Sequence, residues 1–142
     1  MTTIACRQCQ GATYRVLVVD DHPLARDMLA TLVLLDDRTL DVRSICEATT
    51  GEEAAEYARI YRPHVALMDI GLPGINGIEA ARRIKEDASS TAIVFVTASE
   101  EPGQRQEAVE LGAVGFLTKD RVALELVPLL SRILGQGGRL EK

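Results

Sequence analysis

The sequence predicts one α/β domain, a doubly wound parallel sheet of five strands alternating with five helices. Three observations carry that expectation. The runs Val16-Leu17-Val18-Val19, Val65-Ala66-Leu67-Met68 and Ile93-Val94-Phe95-Val96 are apolar without alternation, the pattern of strands buried on both faces. Helix-start signals or helical periodicity separate each run from the next. With 142 residues, 46% hydrophobic and 26% charged, the chain has the length and composition of one globular domain.

Strand 1 covers residues 15–20. Pro23 suits a first helical turn, and Leu24, Met28, Leu32 and Leu35 follow at helical spacing, which makes helix 1. Its last turn, Leu32-Val33-Leu34-Leu35, is apolar nearly all round, and Asp36-Asp37-Arg38 ends it. Strand 2 is residues 42–47. Thr50-Gly51-Glu52-Glu53 has the spacing of a capping box, in which the Thr hydroxyl takes the N3 amide and the Glu side chain reaches back. Helix 2 therefore starts there, turns Ala54, Tyr57, Ala58 and Tyr61 inward, and stops before Pro63.

Strand 3 runs from Val65 to Asp69. Asn76 is the expected N-cap of helix 3, whose buried face is Ile78, Ala81 and Ile84. Strand 4 is residues 92–97. Helix 4, residues 103–111, has few large apolar residues and ends at Gly112. Strand 5 is residues 114–118, and helix 5 continues to Leu134 with Asp120 as N-cap. Pro128 falls inside helix 5, where a lost hydrogen bond to the Leu124 carbonyl and ring crowding cost about 3 kcal/mol. The expectation is a continuous helix bent near residues 124–128.

Residues 1–13 read as a flexible extension, 14–134 as the domain, and 135–142 as a Gly-rich tail or linker. A net charge of −5 disfavours direct nucleic-acid binding. No apolar run is long enough to span a membrane and the start lacks the pattern of a signal peptide, so a cytoplasmic location is expected. Cys6-Arg7-Gln8-Cys9 is a lone C-x-x-C, short of the four ligands of a structural zinc site, and Cys46 reads as a reduced, packed thiol.

The chemistry gathers at strand ends. Asp20-Asp21, Asp69, Thr97 and Lys119 close strands 1, 3, 4 and 5, at the carboxyl edge where open α/β sheets bind ligands. Each alone has a plainer reading: a turn cap for Asp69, a turn-capping hydroxyl for Thr97, an ion pair with Asp69 for Lys119. Three converging carboxylates repel one another, and the usual remedy is a hard divalent cation with oxygen ligands, for which Mg2+ fits best.

Taken together, Asp20-Asp21, Asp69 with Pro73 four residues on, Thr97-Ala98 and Thr118-Lys119 resemble the receiver domain of two-component response regulators over residues 14–134. Gly115-Phe116-Leu117 before Lys119-Asp120 is similar to receivers of the NarL/FixJ type, which usually precede a helix-turn-helix DNA-binding domain. No such domain is present in the sequence, so no direct nucleic-acid binding is expected of it.

The resemblance implies a flavodoxin-like strand order, 2-1-3-4-5. It implies that Asp69 accepts a phosphoryl group from a sensor histidine kinase, in a switch that at most catalyses its own phosphorylation and dephosphorylation. By the same resemblance, Asp21 and Asp69 bind Mg2+ directly, Gly71 binds it through its backbone carbonyl, and Asp20 binds it through water. Lys119 and the metal neutralise the phosphoryl oxygens, and Thr97 hydrogen-bonds the new group. Thr97 and Phe116 form the switch that biases helix 4, strand 5 and helix 5. Many receivers carry Tyr where this chain has Phe116, so its swing is expected to act sterically.

A haloacid-dehalogenase-type aspartyl phosphatase is the competing enzyme reading. That class resembles D-x-D, and Gly71 stands where the second carboxylate belongs. A pseudo-receiver that binds without phosphorylation is opposed by the intact acidic pair, Thr97 and Lys119. A nucleotide-binding module is opposed by the absence of a Gly-rich turn after strand 1. The apolar end of helix 1 and the surplus of large apolar residues in helix 5 predict a homodimer or partner contact through one of them.

Overall fold

The computed structural model describes residues 14–35, 42–88 and 90–134. The expectations for residues 1–13, Cys6 and Cys9 among them, for the Asp36-Asp37-Arg38 stop and for residues 135–142 lie outside the described residues. Strand and helix alternate as β1 (Tyr14–Val19), α1 (Pro23–Leu35), β2 (Val42–Ala48), α2 (Gly51–Tyr61), β3 (Val65–Met68), α3 (Gly77–Asp87), β4 (Ala92–Thr97), α4 (Gln104–Leu111), β5 (Gly115–Thr118) and α5 (Val122–Ile133). All pairings are parallel, in the order β2-β1-β3-β4-β5.

The unalternated strand runs follow from burial on two sides. Val16, Val18, Val65, Leu67, Val94 and Val96 face one helical layer, α1 and α5, through Leu29, Val33, Val122, Leu126 and Leu130. Leu17, Val19, Ala66, Met68, Ile93 and Phe95 face the other, formed by α2, α3 and α4. That second layer is built of small residues, Ala54, Ala58, Ala80, Ala81 and Ala108, which bring helix and strand backbones close. Cys46 is buried there, and burial with the neighbouring Glu47 and Glu53 charges pushes its thiol up to about 11, so it packs as a small apolar side chain.

Local signals set most helix ends. Asn76 caps α3 by accepting from Glu79 N at 2.9 Å, and Gly112 closes α4 in the left-handed conformation, φ 98°. The α2 box closes differently from expectation. Thr50 Oγ1 accepts from Glu53 N at 3.0 Å, but Glu53 Oε1 reaches past Thr50 to Thr49, taking its N–H at 2.8 Å and its hydroxyl at 3.1 Å. Asp120 does not cap α5. Arg121 holds the N-cap position without a side-chain bond, because the tight turn in which Arg121 N donates to Thr118 O comes first.

The apolar stripes also shift from the sequence reading. Leu24 is 82% exposed, and α1 presents Leu29 and Val33 to the core with Met28 and Leu32 beside them. In α5, Val122, Leu126, Leu129, Leu130 and Ile133 are buried, and Leu124 alone among its leucines is exposed, at 73%. Most of the helix 5 surplus is thus taken up within the domain. Pro128 lies inside the continuous α5 on its exposed side, so the Leu124 carbonyl that loses a backbone donor lies on the helix face open to water.

Gly77 positions the site. A Cβ there would fall 2.1 Å from Asp69 O and 2.7 Å from Ile70 Cα, so only glycine lets the start of α3 lie against the end of β3. Its N–H donates to Ile70 O at 2.7 Å. Gly77→Ala is expected to lower stability by about 3 kcal/mol in urea unfolding, an overpacking cost against backbone; an unchanged midpoint would refute the close approach.

His64 gives a pH dependence. Its Nδ1 accepts the Arg15 N–H at 3.0 Å, and burial first, then the Arg15 charge, lowers its pKa from 6.5. A lowered folded-state value means that this stability is present above pH 6.5 and is lost as pH falls through the folded pKa. His64→Gln should therefore show a flatter melting temperature than wild type from pH 7 to pH 5, and parallel curves would remove His64 as the cause.

Candidate functional site at the carboxyl edge

Three charged residues each stand one position past a strand end. Asp20 follows β1, Asp69 follows β3 and Lys119 follows β5. Backbone bonds that extend the ladders fix all three: Asp20 N donates to Ala48 O at 3.1 Å, Asp69 N to Val19 O at 2.9 Å, and Lys119 N to Thr97 O at 2.8 Å. Because β1 and β3 are neighbours, the two carboxylates converge, and the long lysine side chain crosses the end of β4 to reach them. Its Nζ lies 2.6 Å from Asp20 Oδ2 and 3.6 Å from Asp69 Oδ2. The sequence reading paired Lys119 with Asp69; the shorter contact is to Asp20.

Burial sets the electrostatics. Asp20 and Asp69 are buried, and Asp21 is partly exposed. Burial and the Asp20 charge hold the Asp69 carboxyl above the usual range, although Lys119 and the Gly71 N–H, 3.2 Å from Asp69 Oδ1, act the other way. Burial alone would lower Lys119, but its contact with Asp20 and the charges of Asp69 and Asp20 hold it above its ordinary value. The ammonium is thus the fixed counter-charge of the site.

The acidic loop has its own support. Arg26 donates through its guanidinium to Asp20 O at 2.9 Å and to Glu47 Oε1 at 3.0 Å, tying the end of β1 to α1 and β2. His22 N donates to Asp20 Oδ1 at 2.9 Å. The ligating atoms of Asp20, Asp21, His22 and Asp69 lie within 4.8 Å of one another. Asp20 Oδ2 and Asp21 Oδ1 are buried atoms that accept no hydrogen bond, and Asp20 Oδ2 meets the Lys119 ammonium as an ion pair at 2.6 Å. Hard oxygen donors with spare lone pairs in one cluster fit a small divalent cation. Gly71 enters the site through its N–H, beside that cluster.

Thr97 ends β4 at the same edge, and Phe116 lies two residues before the end of β5. Thr97 is buried, and its Oγ1 donates to Ser99 O at 3.1 Å, the local turn bond that its plainer reading describes. Phe116 is half-buried, 6.3 Å from Phe95 between ring centroids, with the Arg105 guanidinium 4.6 Å over its ring. Arg105 also grips Glu100 with two bonds, at 2.9 and 2.8 Å. The sequence reading missed both Arg105 and the placing of His22. Glu100 lies only five residues before Arg105, but the placing of Arg105 over Phe116 joins α4 to β5 and has no local signal; His22 could have been found as the residue following the acidic pair.

Residues 16–130 match the response regulator receiver domain family. The response regulator GacA of Pseudomonas viridiflava is 38% identical over 125 residues, which cover 88% of this chain and 56% of that protein. The chain therefore spans little more than half the length of such curated relatives. The solved signal receiver domain of NarL from Mycobacterium tuberculosis superposes with a TM-score of 0.78 at 31% identity, covering 89% of this chain and 99% of that one. A LuxR-family two-component response regulator from Aurantimonas sp. SI85-9A1 gives 0.76 at 33% identity, covering 87% and 86%. Neither a phosphatase nor a pseudo-receiver is favoured by these matches, and the five-stranded order, the acidic edge and the lysine agree with them. The chain belongs to the response regulator receiver domains, the phosphoacceptor modules of two-component systems.

Proposed function

We propose that Asp69 takes a phosphoryl group from a phosphohistidine on a sensor histidine kinase in the cytoplasm, and that the acyl phosphate so formed changes what the α4–β5–α5 side binds. Receiver domains are phosphorylated by histidine kinases, bind Mg2+ at an acidic site and are generally switches rather than enzymes. The observation that carries the proposal is the set of strand-end charges, with one ammonium at 2.6 and 3.6 Å from two buried carboxylates. The chemistry of this chain is confined to gaining and losing its own phosphoryl group.

Phosphoryl transfer needs positioning and charge neutralisation more than an activated base. An Asp69 oxygen attacks phosphorus, the bond to the donor imidazole nitrogen breaks, and that nitrogen leaves with the electron pair. Lys119 moves its share of charge from Asp20 to the phosphoryl oxygens. Asp21 and Asp69 would hold the cation directly, Gly71 through its carbonyl, and Asp20 through water. When bound, Mg2+ offsets both the carboxylate repulsion and the charge on the transferring group.

The read-out begins at Thr97. To reach the phosphoryl oxygen its hydroxyl gives up the bond to Ser99 O, which draws the 98–103 loop inward. Glu100 in that loop grips Arg105, and Arg105 covers Phe116, so the shift is passed to α4 and β5. The module acts either as a free-standing regulator or as the receiver of a longer regulator of transcription, which is what the name of the mycobacterial NarL relative says of that protein. A homodimer or partner contact forms through α1, where Leu24 and Leu34 are exposed, or through α5 at Leu124.

With a small phosphodonor and Mg2+, intact-mass spectrometry should show one added phosphoryl group on the wild type and none on Asp69→Asn. Excess chelator should stop the labelling. Equal labelling of the variant would sink the phosphoacceptor assignment, and labelling that survives chelation would remove the acidic pair as a cation site. For association, light scattering in the presence of beryllofluoride should give a mass above the monomer that Leu24→Asp or Leu124→Asp returns to it; a strict monomer under both conditions excludes the homodimer.

A further inference from the structure

His22 is not needed by the phosphoryl transfer just described, yet it is built into the acidic cluster. Its Nδ1 lies 3.2 Å from Asp21 Oδ1 and 3.3 Å from Asp20 Oδ1. Two neighbouring ligands around an octahedral ion at about 2.1 Å stand about 3 Å apart, so His22 Nδ1 and Asp21 Oδ1 already have nearly the spacing of co-ligands. The backbone holds the residue there. His22 N donates to Asp20 Oδ1 at 2.9 Å, and His22 O accepts from Arg26 N at 3.0 Å as α1 begins. Arg26 in turn fixes the Asp20 carbonyl.

We propose that His22 is a nitrogen ligand of this cation site, its Nδ1 joining Asp21 and Asp69 with Asp20 behind them, and that it biases the site toward a borderline first-row divalent ion such as Co2+ over Mg2+. The inference rests on the acidic cluster being the cation site proposed above. Four groups offer a ligating atom within 4.8 Å of one another, and one of them is an imidazole. Mg2+ demands hard oxygen donors and keeps its waters, whereas imidazole suits the transition ions that follow Mn2+ in affinity order. A carboxylate-only site has no means of making that distinction beyond the general order. As it stands Nδ1 donates to Asp20 Oδ1 at 3.3 Å, so ligation exchanges that hydrogen bond for the cation, with the imidazole proton on Nε2. The His22 side chain is 70% exposed and that of Asp20 1% exposed, so Nε2 lies toward solvent and the imidazole closes the open side of a cluster whose floor is buried.

The plainer role for the same contacts is a hydrogen-bonded brace that holds the two carboxylates, in which case both cations suffer equally from its loss. Titration calorimetry of the full chain with Mg2+ and with Co2+, on wild type and His22→Ala, separates the two. The expected result is a fall of about tenfold in Co2+ affinity with Mg2+ changed less than about twofold. Equal weakening for both ions, or no change for Co2+, overturns the proposal. Nuclear magnetic resonance of the wild type gives a second reading that needs no variant. The chain has two histidines, so Co2+ should give contact-shifted ring resonances for His22, which need a metal–nitrogen bond, and none for His64 at the opposite end of β3. Absence of contact-shifted ring resonances would count against ligation. Failure of wild type to bind either cation would instead remove the cation site itself, and with it the reading on which this inference rests.

Discussion

The rest of the site depends on one electrostatic constraint, two buried carboxylates held beside each other at the end of adjacent parallel strands. Parallel pairing of β1 and β3 leaves Asp20 and Asp69 no means of moving apart. Burial raises the cost of charge on both, and the Lys119 ammonium, delivered from β5 across the end of β4, offsets part of it. An arrangement of this kind is strained in charge and waits for a further positive group or a redistribution of negative charge. That is what a phosphoacceptor needs, and the ammonium rests nearer Asp20 than Asp69, so the proposed nucleophile has the longer, more easily rearranged contact.

The scaffold serves that constraint by rigidity below and mobility above. Both faces of the sheet are packed, and the close approach of Gly77 to the Asp69 carbonyl ties α3 to the strand that carries the nucleophile. On the far side, α4 presents Ala108 alone to the core as a buried residue and begins at Gly103 without a side-chain cap. Few apolar contacts and an uncapped start make α4 the element most readily displaced. Its exposed Arg105, shared between Glu100 and Phe116, connects the loop after Thr97 to β5 through contacts that a small movement can break.

Much of this was legible in the residues. Strands buried on two faces write themselves as unbroken apolar runs, and the caps at Thr50 and Asn76 are local chemistry, so elements and order could be read. The strand-end charges were legible for the same reason, since each follows such a run directly. What failed did so where two neighbouring residues offered the same physics. Thr49 and Thr50 carry the same groups, and the geometry of Glu53 decided between them. Leu24 and Leu29 are equally apolar, and the direction in which α1 leaves the sheet decided which is buried. The partner of Lys119 comes from a distant strand, and Arg105 on α4 is set over Phe116 of β5, pairings for which local pattern holds no record.

The central claim, that the Lys119 ammonium offsets a repulsion shared by the buried carboxylates, is tested most directly by a double-mutant cycle on stability. Lys119→Ala, Asp20→Asn and the double variant would be unfolded in urea with a chelator present. The account predicts that Lys119→Ala destabilises, that Asp20→Asn restores most of the loss, and that the two changes couple by about 1 kcal/mol or more. Strictly additive effects would contradict it, since they would mean that the lysine and the aspartate do not sense each other in the folded chain.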